Sequence, residues 1–500
     1  MQPNAPLQEV RTVNQHETPL FSGLVRHAAR NPIQFHIPGH KKGAGMESEF
    51  RAYIGDHAFA IDLINIAPLD DLHNPHGIIR EAQALAAEAF GADHSFFSVQ
   101  GTSGAIITMI MTVCGPGDKI LVPRNVHKSV LTGIVLSGAL PIFMNPDLDY
   151  DLGIAHGVSL EAVRHHLDQH PDAKGVLVIN PTYYGVAADI KGIVELAHSR
   201  GVPVLVDEAH GVHLCFHDEL PLSAMQAGAD MAATSVHKLG GSLTQTSILN
   251  VREGFINPGR VQAILSMLTT TSTSYLLLAS LDVARKQLAT RGREMIDRAV
   301  RLAQRARREI DEIPGLYCLG PDMIGHSSSR FDLDPTKLCI NVKELGVTGV
   351  DVEVLLREEF NIEVELSDLY NILCIISLGD TAEDVDALVA ALREISRRFY
   401  RQRPANVVKV KVPTTPILAM HPRTAFYAET EVVPIREAEG RVIAESIMVY
   451  PPGIPILLPG EIVAEDNLDY LNECIQAGLP VQGTEDPEVK LVKVVKDAHR

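Results

Sequence analysis

The stretch "VPVLVDEAHGVH" at residues 202–213 is the part of the sequence that most directly indicates the fold. Residues 202–206 form a run of apolar, mostly β-branched residues. Asp207 follows the run directly, and His210 comes three residues after Asp207. Such a run is typical of a strand that is buried on both faces, as in a parallel sheet covered by helices. Asp207 therefore lies where α/β sheets bind their ligands, beyond the carboxyl end of a strand.

Further runs of the same kind occur on both sides of this stretch. Between about residues 85 and 255, short β-branched runs alternate with segments of helical periodicity such as 160–166 and 192–200. This alternation predicts βαβ units and a mainly parallel sheet. The predicted strands are 119–123, 140–144, 175–180, 202–207 and 246–251.

The second half of the chain predicts a smaller α/β domain and a C-terminal extension. A long helical pattern at 275–313 precedes it, and a linker is predicted at 400–413. The smaller domain is predicted to contain strands 337–342, 361–367 and 371–377 and helices 350–359 and 381–398. We expect three domains, at residues 1–290, 291–403 and 404–500.

The composition limits the possible partners and location of the protein. A formal net charge of −18 argues against binding to nucleic acid, which requires a basic surface. The 6 cysteines are scattered and include no C-x-x-C pair, so we expect neither a disulfide framework nor a zinc knuckle. The first 17 residues lack the apolar core of a secretory signal, and prolines interrupt the apolar stretch 446–460. The expectation is a cytoplasmic protein without a membrane span.

The segment "SVQGTSG" at 98–104 predicts an anion site. Thr102 and Ser103 stand in a glycine-flanked turn, and an apolar helix follows immediately. The start of a helix offers N–H groups without partners and the positive end of the helix dipole, and hydroxyl groups add further donors. A phosphate group would fit there. The alternative is that the hydroxyl groups only cap the helix.

Asp207 is the second candidate site residue. Burial of a carboxylate beyond an apolar strand is unfavourable unless the carboxylate has a partner. A protonated pyridine nitrogen, as in pyridoxal phosphate, would be such a partner and would make the ring an electron sink. An ion pair with a neighbouring helix is the alternative.

The third candidate lies in "SVHKLGGSLTQ" at 235–245, where Ser235, His237 and Lys238 follow another apolar segment. Gly240 and Gly241 follow after Leu239, and glycines allow the backbone to approach a ligand closely. A lysine amine forms a Schiff base readily when it is desolvated and its pKa is lowered. A single lysine is more often a solvated surface charge. The order of a phosphate turn, an aspartate and a lysine at strand ends favours the cofactor interpretation.

These segments, together with others along the chain, resemble one enzyme family. The further segments are "PGHKKG" (38–43), "LDDLH" (69–73), "RNVHKS" (124–129), "NPTYYGV" (180–186), "TTTSTSYLLLASLD" (269–282) and "YPPGIPILLPGE" (450–461). From about residue 18 to its C-terminus the chain resembles the fold-type-I, pyridoxal-5′-phosphate-dependent ornithine/lysine/arginine decarboxylases. Its overall resemblance is greatest to the short biosynthetic members that act on arginine. The expectation of the short form is supported by the position of "PGHKKG" at 38–43, which leaves no room for the N-terminal domain of the long members. The resemblance implies an aspartate-aminotransferase-like fold.

The resemblance also implies roles for individual residues. Lys238 would carry pyridoxal phosphate as a Schiff base, and Asp207 would pair with the pyridinium nitrogen. His127 would stack on the ring, and either His127 or Lys238 would return a proton to the substrate Cα. Ala209 and His210 would also contact the cofactor, with His210 near the ring or its phenolic oxygen. The phosphate group would be held by Thr102, Ser103, Ser235 and His237.

Two further groups of residues follow from the resemblance. Thr271 or Ser272 would reach the phosphate of a neighbouring subunit, so we expect at least a homodimer. Many relatives have Ser-Pro where this chain has Ser272-Thr273, which puts the local backbone in question. The cationic end of the substrate requires a carboxylate, for which Glu461 and the pair Asp70 and Asp71 are candidates. Helix capping or loop solvation is the alternative for the two aspartates.

The implied reaction is decarboxylation of L-arginine to agmatine and CO2, which feeds polyamine biosynthesis, including that of spermidine. Lysine or ornithine decarboxylation is the nearest alternative. An aminotransferase or an α-oxoamine synthase on the same fold is a more distant alternative, because a fold alone does not define the chemistry. A scaffold protein without activity is a third alternative. Histidines at 36, 40, 73, 76, 210, 213 and 217 lack the accompanying ligands of a metal motif, so no metal site is predicted.

Overall fold

The structure is a computed structural model that describes residues 14–400, 415–449, 454–476 and 481–496. Residues 401–413 of the predicted linker and residues 450–453 of the proline-rich stretch lie outside these ranges.

A seven-stranded sheet forms the centre of the largest part of the molecule. Its strands in chain order are His94–Ser98 (β1), Lys119–Pro123 (β2), Leu140–Met144 (β3), Gly175–Ile179 (β4), Val204–Asp207 (β5), Met231–Thr234 (β6) and Ser247–Val251 (β7). In spatial order they are β1, β7, β6, β5, β4, β2 and β3. Strand β7 is antiparallel to both of its neighbours, whereas every other adjacent pair is parallel. The mainly parallel sheet that the sequence predicts is therefore confirmed.

Strand β5 shows why its sequence is an apolar run without alternation. Successive side chains of a strand point to opposite faces of the sheet. Val204 and Val206 belong to the hydrophobic cluster on one face, and Leu205 belongs to the cluster on the other. All three side chains are fully buried, so both faces of this strand are covered.

Helices cover the two faces of the sheet. One cluster contains side chains of Gly101–Val113, Lys128–Ser137 and Pro258–Leu268. The opposite cluster contains side chains of Leu160–Gln169, Ile190–Ser199 and Ala224–Ala227. A third cluster adds the N-terminal helices that lie near β1. The helices of that N-terminal segment are Pro19–Ala29, Ser48–Ile54, Asp56–Ile61 and Ile78–Phe90.

Five of the seven strands match runs that the sequence singles out, each within two residues. The other two strands are not predicted: in β1, "HSFFS" combines polar and aromatic residues, and β6 is noted only as an apolar segment before Ser235. The sequence also does not predict the short strand pairs outside the large sheet. These pairs are Leu148–Asp149 with Ile154–Ala155, and Val186–Ala187 with Asp332–Leu333.

The helix Tyr275–Asp311 connects the large part of the molecule to the smaller one. It has 37 residues and is therefore about 55 Å long. Leu278 and Leu288 in its first half belong to the cluster of the N-terminal helices, whereas Ala303 and Ile310 belong to the core of the small domain. The predicted domain limits at 290 and 403 stay predictions, and this helix is continuous across residue 290.

The small domain has a four-stranded antiparallel sheet. Its strands, in spatial order, are Tyr317–Cys318, Lys337–Asn341, Asn371–Ile375 and Leu366–Ser367, and the helices Gly349–Phe360 and Ala382–Phe399 cover it. The strand predicted at 361–367 is wrong over most of its length, since only its last two residues are extended in a ladder. Asn361 has a φ of 54° and ends the preceding helix in the left-handed conformation.

The C-terminal region has its own hydrophobic core. Strand Thr430–Pro434 pairs with Leu491–Val495, and Ile447–Val449 lies between Ile454–Leu457 and Val481–Gln482. Helices Pro422–Tyr427 and Glu465–Gln476 also belong to this region. The short 3-10 helices of the chain are Ala67–Leu69, Leu214–Phe216, Pro321–Met323, Lys343–Leu345 and Ile435–Ala438.

None of the helices in the described ranges is both long and apolar enough to cross a membrane. The six cysteines are free thiols.

Candidate active site

The candidate site lies at the carboxyl edge of the central sheet. Asp207 is the last residue of β5, and Ser235 follows β6 directly. Lys238 lies on the one-turn helix Val236–Leu239 that begins after Ser235. Because β5 and β6 are adjacent and parallel, their ends bring these residues to one place. This is the edge at which the sequence predicts a ligand.

The amine of Lys238 lies in a partly enclosed, aromatic environment. Its Nζ is 2.7 Å from Nε2 of His210 and 5.4 Å from the ring centre of Tyr183. Desolvation lowers the pKa of Lys238, while the carboxylates of Asp207 and Glu365 act in the opposite direction. A lowered pKa increases the fraction of uncharged amine, which is the nucleophilic form.

Asp207 is a buried carboxylate with one backbone donor. Its Oδ1 accepts a hydrogen bond of 3.1 Å from the N–H of Ala209. Burial raises the pKa of Asp207 to about 6, although the Ala209 N–H and the charge of Lys238 act against this. A cationic ring nitrogen beside this group would stabilise the ionised form.

Three hydroxyl groups converge beside the first turn of the helix Gly101–Val113. Thr102 Oγ1 shares a short hydrogen bond with Ser235 Oγ and lies 3.0 Å from Ser247 Oγ. Ser103 is exposed in the same turn. The N–H groups of a first turn have no partner within their helix, so this turn can donate to an anion. Ser247, at the start of β7, is an addition to the residues predicted from the sequence.

His237 and His127 also lie at this edge. His237 Nδ1 donates to the carbonyl oxygen of Thr246 at 2.8 Å, which fixes the orientation of its ring. His127 follows β2 and caps the helix Lys128–Ser137, with Nδ1 accepting from Ser129 N at 3.2 Å. The His127 side chain is exposed at the mouth of the site, yet desolvation by the neighbouring protein atoms and the charge of Lys238 lower its pKa.

Thr271 and Ser272 are exposed, whereas the hydrogen bonds of the hydroxyl cluster join Thr102 to Ser235 and Ser247. Their segment packs against the loop around Asp70: Tyr275 Oη donates to Asp70 O at 2.7 Å, and His73 Nε2 is 3.0 Å from Thr270 O. The structure therefore places Thr271, Ser272 and Asp71 on one surface of the subunit.

Asp70 is a helix cap in this structure. Its side chain is buried, and its carboxylate accepts hydrogen bonds from the backbone N–H groups of His76, Gly77 and Ile79 at the start of the helix Ile78–Phe90. These bonds hold the pKa of Asp70 low, although burial alone would raise it. The expectation that Asp70 binds substrate is corrected to the capping alternative, because its acceptor positions are occupied.

Asp71 accepts hydrogen bonds from His73 N at 3.0 Å and Asn65 Nδ2 at 3.3 Å. Its role toward a substrate stays a prediction.

Glu461 also forms an ion pair within the chain. It is fully buried, and both of its carboxylate oxygens bind the guanidinium group of Arg124, which is itself 3% exposed. Leu458 N also donates to Glu461 Oε2 at 2.8 Å. Because the Glu461 carboxylate is buried and already paired with Arg124, the expected substrate contact is corrected to an internal ion pair.

The sequence does not predict three residues that lie near Lys238 or His210, namely Tyr183, Glu365 and Lys337. Tyr183 lies after β4, and its ring centre is 4.3 Å from that of His210. Its hydroxyl group donates to Glu365 of the small domain in a short hydrogen bond. Lys337 begins a strand of the small domain, and its Nζ is 2.9 Å from His210 Nδ1. Tyr183 follows a predicted strand and could have been found by the strand-end rule, whereas the other two depend on domain packing.

The arrangement provides a poised amine, a buried acid and an anion-binding turn within one edge of the sheet. Such a set can hold an aromatic aldehyde with a phosphate group and a basic ring nitrogen. Within the described ranges, no group of three or more His, Cys, Asp or Glu side chains is suited to hold a metal ion.

Sequence profiles of one family cover most of the chain. The profile of the Orn/Lys/Arg decarboxylase major domain matches residues 18–384, and that of the C-terminal domain of the same family matches residues 405–485. The chain belongs to the Orn/Lys/Arg decarboxylase family. The family prediction from the sequence is confirmed.

Two relatives are similar to this family member over nearly their whole length. An arginine decarboxylase of Bacillus subtilis is 65% identical over 486 residues, covering 97% of this chain and 99% of the relative. An arginine decarboxylase of Halalkalibacterium halodurans is 66% identical over 486 residues, covering 97% and 98% respectively.

Solved structures support the fold of this decarboxylase-family chain. A lysine decarboxylase of Francisella novicida superimposes with a TM-score of 0.84 at 24% identity and covers 96% of this chain and 81% of its own. Lysine decarboxylase A of Pseudomonas aeruginosa gives a TM-score of 0.83 at 26% identity, covering 96% and 80%. The predicted α/β fold class is confirmed.

Proposed function

We propose that this chain decarboxylates L-arginine to agmatine and CO2 with pyridoxal 5′-phosphate as its cofactor. The observation that carries the proposal is the meeting of Lys238, Asp207 and the hydroxyl cluster at one sheet edge in a chain of this family. The choice of arginine is supported by the similarity to enzymes that are named arginine decarboxylases.

The residues at this edge fit pyridoxal phosphate. Asp207 is buried and accepts only one backbone hydrogen bond on Oδ1, which suits a protonated ring nitrogen as its neighbour. The turn at Thr102 and Ser103, with Ser235, suits a phosphate group. When bound, pyridoxal phosphate supplies an electrophilic carbonyl group and a conjugated ring that accepts the electrons of the bond to the departing carboxylate.

Each side chain in the proposed site has a limited task. Lys238 would hold the cofactor covalently and yield its place to the substrate amine. Asp207 would keep the ring nitrogen protonated, which makes the ring a better electron sink. His127 would pack against the ring, and His127 or Lys238 would donate the proton that Cα receives after CO2 has left. His237, Ala209 and His210 would complete the cofactor contacts.

Glu365 is the carboxylate that we propose for the substrate guanidinium group. Its hydrogen-bond partner Tyr183 has its ring centre 5.4 Å from Lys238 Nζ, and its charge opposes the lowering of the Lys238 pKa, so Glu365 lies near the reacting centre. It is exposed, and the Tyr183 hydroxyl group fixes one of its oxygens. An oriented carboxylate can bind guanidinium through strong, charge-assisted hydrogen bonds. This assignment replaces Glu461 and Asp70, whose carboxylates are bound within the chain.

The assembly and the cellular setting are part of the same proposal. Thr271 or Ser272 would contact a phosphate in a neighbouring subunit, and Asp71 lies on the same surface. A homodimer, or a larger assembly built from it, would therefore contain the complete sites. We also propose that the protein acts in the cytoplasm and supplies agmatine for polyamine and spermidine biosynthesis.

The substrate proposal is tested by measuring CO2 release from arginine, lysine and ornithine side by side. We expect kcat/KM for arginine to exceed that for the other two, because Glu365 can bind a guanidinium group through more donors than an ammonium group offers. Faster turnover of lysine or ornithine would refute the choice of arginine. Amino-group transfer to a keto acid that outpaces CO2 release would refute decarboxylation itself.

Replacing Glu365 with glutamine tests the proposed substrate contact. Loss of the charge at one charge-assisted contact costs about 1.5–3 kcal/mol, so kcat/KM for arginine should fall about 10- to 100-fold. Most of the change should be in KM, since the carboxylate binds the substrate far from the bond that breaks. Steady-state CO2 release over a range of arginine concentrations measures the two parameters.

The matched control for this experiment is Glu363→Gln, because Glu363 is an exposed glutamate in the same segment. That variant should keep the KM of the unmodified protein. A Glu365→Gln enzyme with an unchanged KM would rule out Glu365 as the guanidinium contact.

A further inference from the structure

The His210 ring lies between two lysine amines. Lys238 Nζ is 2.7 Å from Nε2 of the ring, and Lys337 Nζ is 2.9 Å from Nδ1. The His210 side chain is 5% exposed and that of Lys337 is 0% exposed, so water competes little for these contacts. Both distances are those of hydrogen bonds.

Counting protons shows that the two amines are not both charged in this arrangement. Desolvation and the neighbouring charges lower the pKa of His210 well below its ordinary value, so the ring is neutral and has one N–H and one bare nitrogen. The bare nitrogen can accept from an ammonium group, but the N–H needs a lone pair, which only an uncharged amine has. With both hydrogen bonds formed, at least one lysine is an uncharged amine, and the other can be an ammonium group.

Several charged groups face this triad and bear on its titration. Asp207 and Glu365 act on Lys238, and Asp334 and Glu365 act on Lys337. His213 and His237 act on His210. Desolvation lowers the pKa of Lys337 to about 8, so its amine can take up or release a proton near neutral pH. Asp334 is ionised, because His213 lowers its pKa to about 2 against the effect of burial.

We propose that Lys337 stores the proton that Lys238 gives up, and that His210 carries it between them. A proton passes from the Lys238 ammonium group to His210 Nε2, and the Nδ1 proton of His210 passes to the Lys337 amine. The His210 ring ends neutral in its other tautomer, and one positive charge has moved from Lys238 to Lys337. The return of the proton reverses both transfers.

This proposal rests on the proposed function in one respect, namely that Lys238 is the amine that binds the cofactor carbonyl. Such an amine must be uncharged to react, and it must be able to recover a proton when the substrate amine takes its place. A store inside the protein makes this exchange independent of water reaching a partly enclosed site. Lys337 is thus a positioning residue that acts on Lys238 through His210.

The fold holds Lys337 firmly in place. A β carbon at Gly185, which has a φ of +90°, would lie 2.8 Å from the Lys337 Cβ, so the loop after β4 packs directly on the lysine stem. Arg307 of the long helix donates to Lys337 O at 2.8 Å and to Leu319 O at 2.9 Å. These contacts hold the backbone of Lys337 and the first part of its side chain in place.

The test is the pH dependence of Lys238 acetylation in the full-length protein, after hydroxylamine has removed bound cofactor. Acetic anhydride reacts with uncharged amines, and peptide mass spectrometry identifies the modified lysine. In Lys337→Met, which keeps an unbranched side chain without charge, the midpoint for Lys238 should rise by about one pH unit, because a neighbouring cation and proton acceptor is lost. In Lys337→Arg the charge is permanent, so the midpoint should fall by about half a unit.

Lys343→Met is the matched control, since Lys343 lies just beyond the same strand and contacts the Tyr370 ring instead. It should leave the Lys238 midpoint unchanged. Circular dichroism checks that each variant folds. If one Lys337 variant does not fold, the direction of the midpoint shift in the other variant still tests the proposal. A midpoint that stays at its wild-type value in a folded Lys337 variant overturns the proposal.

The failure of this proposal is distinguishable from the failure of the proposed function. A visible absorbance band that pyridoxal phosphate restores and borohydride removes tests the function, and the acetylation midpoints test the proton store. Opposite midpoint shifts without the band would keep the store and reject the cofactor. The absorbance band together with unchanged acetylation midpoints would support the cofactor and reject the proton store.

Discussion

Replacing Lys238 with alanine is expected to lower CO2 release from arginine by at least about 10^3-fold, because the variant has no amine to hold the cofactor covalently. The same variant should lack the visible absorbance band that borohydride removes from the unmodified protein. Lys238 has a lowered pKa and lies at the ends of β5 and β6, so its amine is the one prepared for reaction at this edge. Activity assays and absorbance spectra on one preparation measure both effects.

The control is Lys128→Ala, because Lys128 also follows a histidine, His127, in "RNVHKS" at 124–129. Lys128 is exposed in the first turn of the helix Lys128–Ser137. We expect this variant to keep the absorbance band. A Lys238→Ala protein that retains both the band and the activity would show that another amine carries the cofactor.

Replacing Arg124 with methionine is expected to destabilise the protein by about 3–5 kcal/mol, because it leaves the Glu461 carboxylate buried without its cation. Arg124 also donates to Pro455 O at 3.1 Å and to Ile456 O at 3.2 Å. These contacts join the loop after β2 to the C-terminal region, so both should lose stability. Urea unfolding followed by circular dichroism gives the change in free energy of unfolding.

Two further variants give this measurement its controls. The double variant Arg124→Met/Glu461→Leu removes both charges and should recover most of the lost stability. Arg293→Ala breaks an exposed pair with Asp218, whose side chains are 73% and 79% exposed, and should cost less than about 1 kcal/mol. A single Arg124→Met variant as stable as the unmodified protein would contradict the importance of the buried pair.

The sequence was sufficient to locate the central part of the site. Val204, Leu205 and Val206 identify β5 because each is buried, and a strand covered on both faces cannot contain polar residues at alternate positions. Asp207 follows one apolar run and Lys238 follows another apolar segment, so the rule that ligands bind beyond strand ends predicts both residues at the same edge of the sheet. The hydroxyl groups of Thr102 and Ser235 meet for the same reason.

The sequence was insufficient where a charge had two possible uses. Asp70 caps a helix, and Glu461 pairs with Arg124, 337 residues away along the chain. Neither residue type nor local spacing distinguishes a carboxylate that awaits a ligand from one that already has a partner. Lys337 and Glu365 were missed because they reach His210 and Tyr183 only when the small domain packs on the large one.

The long helix makes the two contacts across the domain boundary mechanically dependent on each other. Its beginning is fixed in the large part, where Asp282 accepts from Leu20 N and Phe21 N, and its end carries the small sheet through Arg307. A rod of about 55 Å that tilts by about 5° at one end moves the other end by about 5 Å. Such a tilt would separate Lys337 from His210 and Glu365 from Tyr183 in one movement. The contact between Lys337 and His210 and that between Glu365 and Tyr183 would then form and break together.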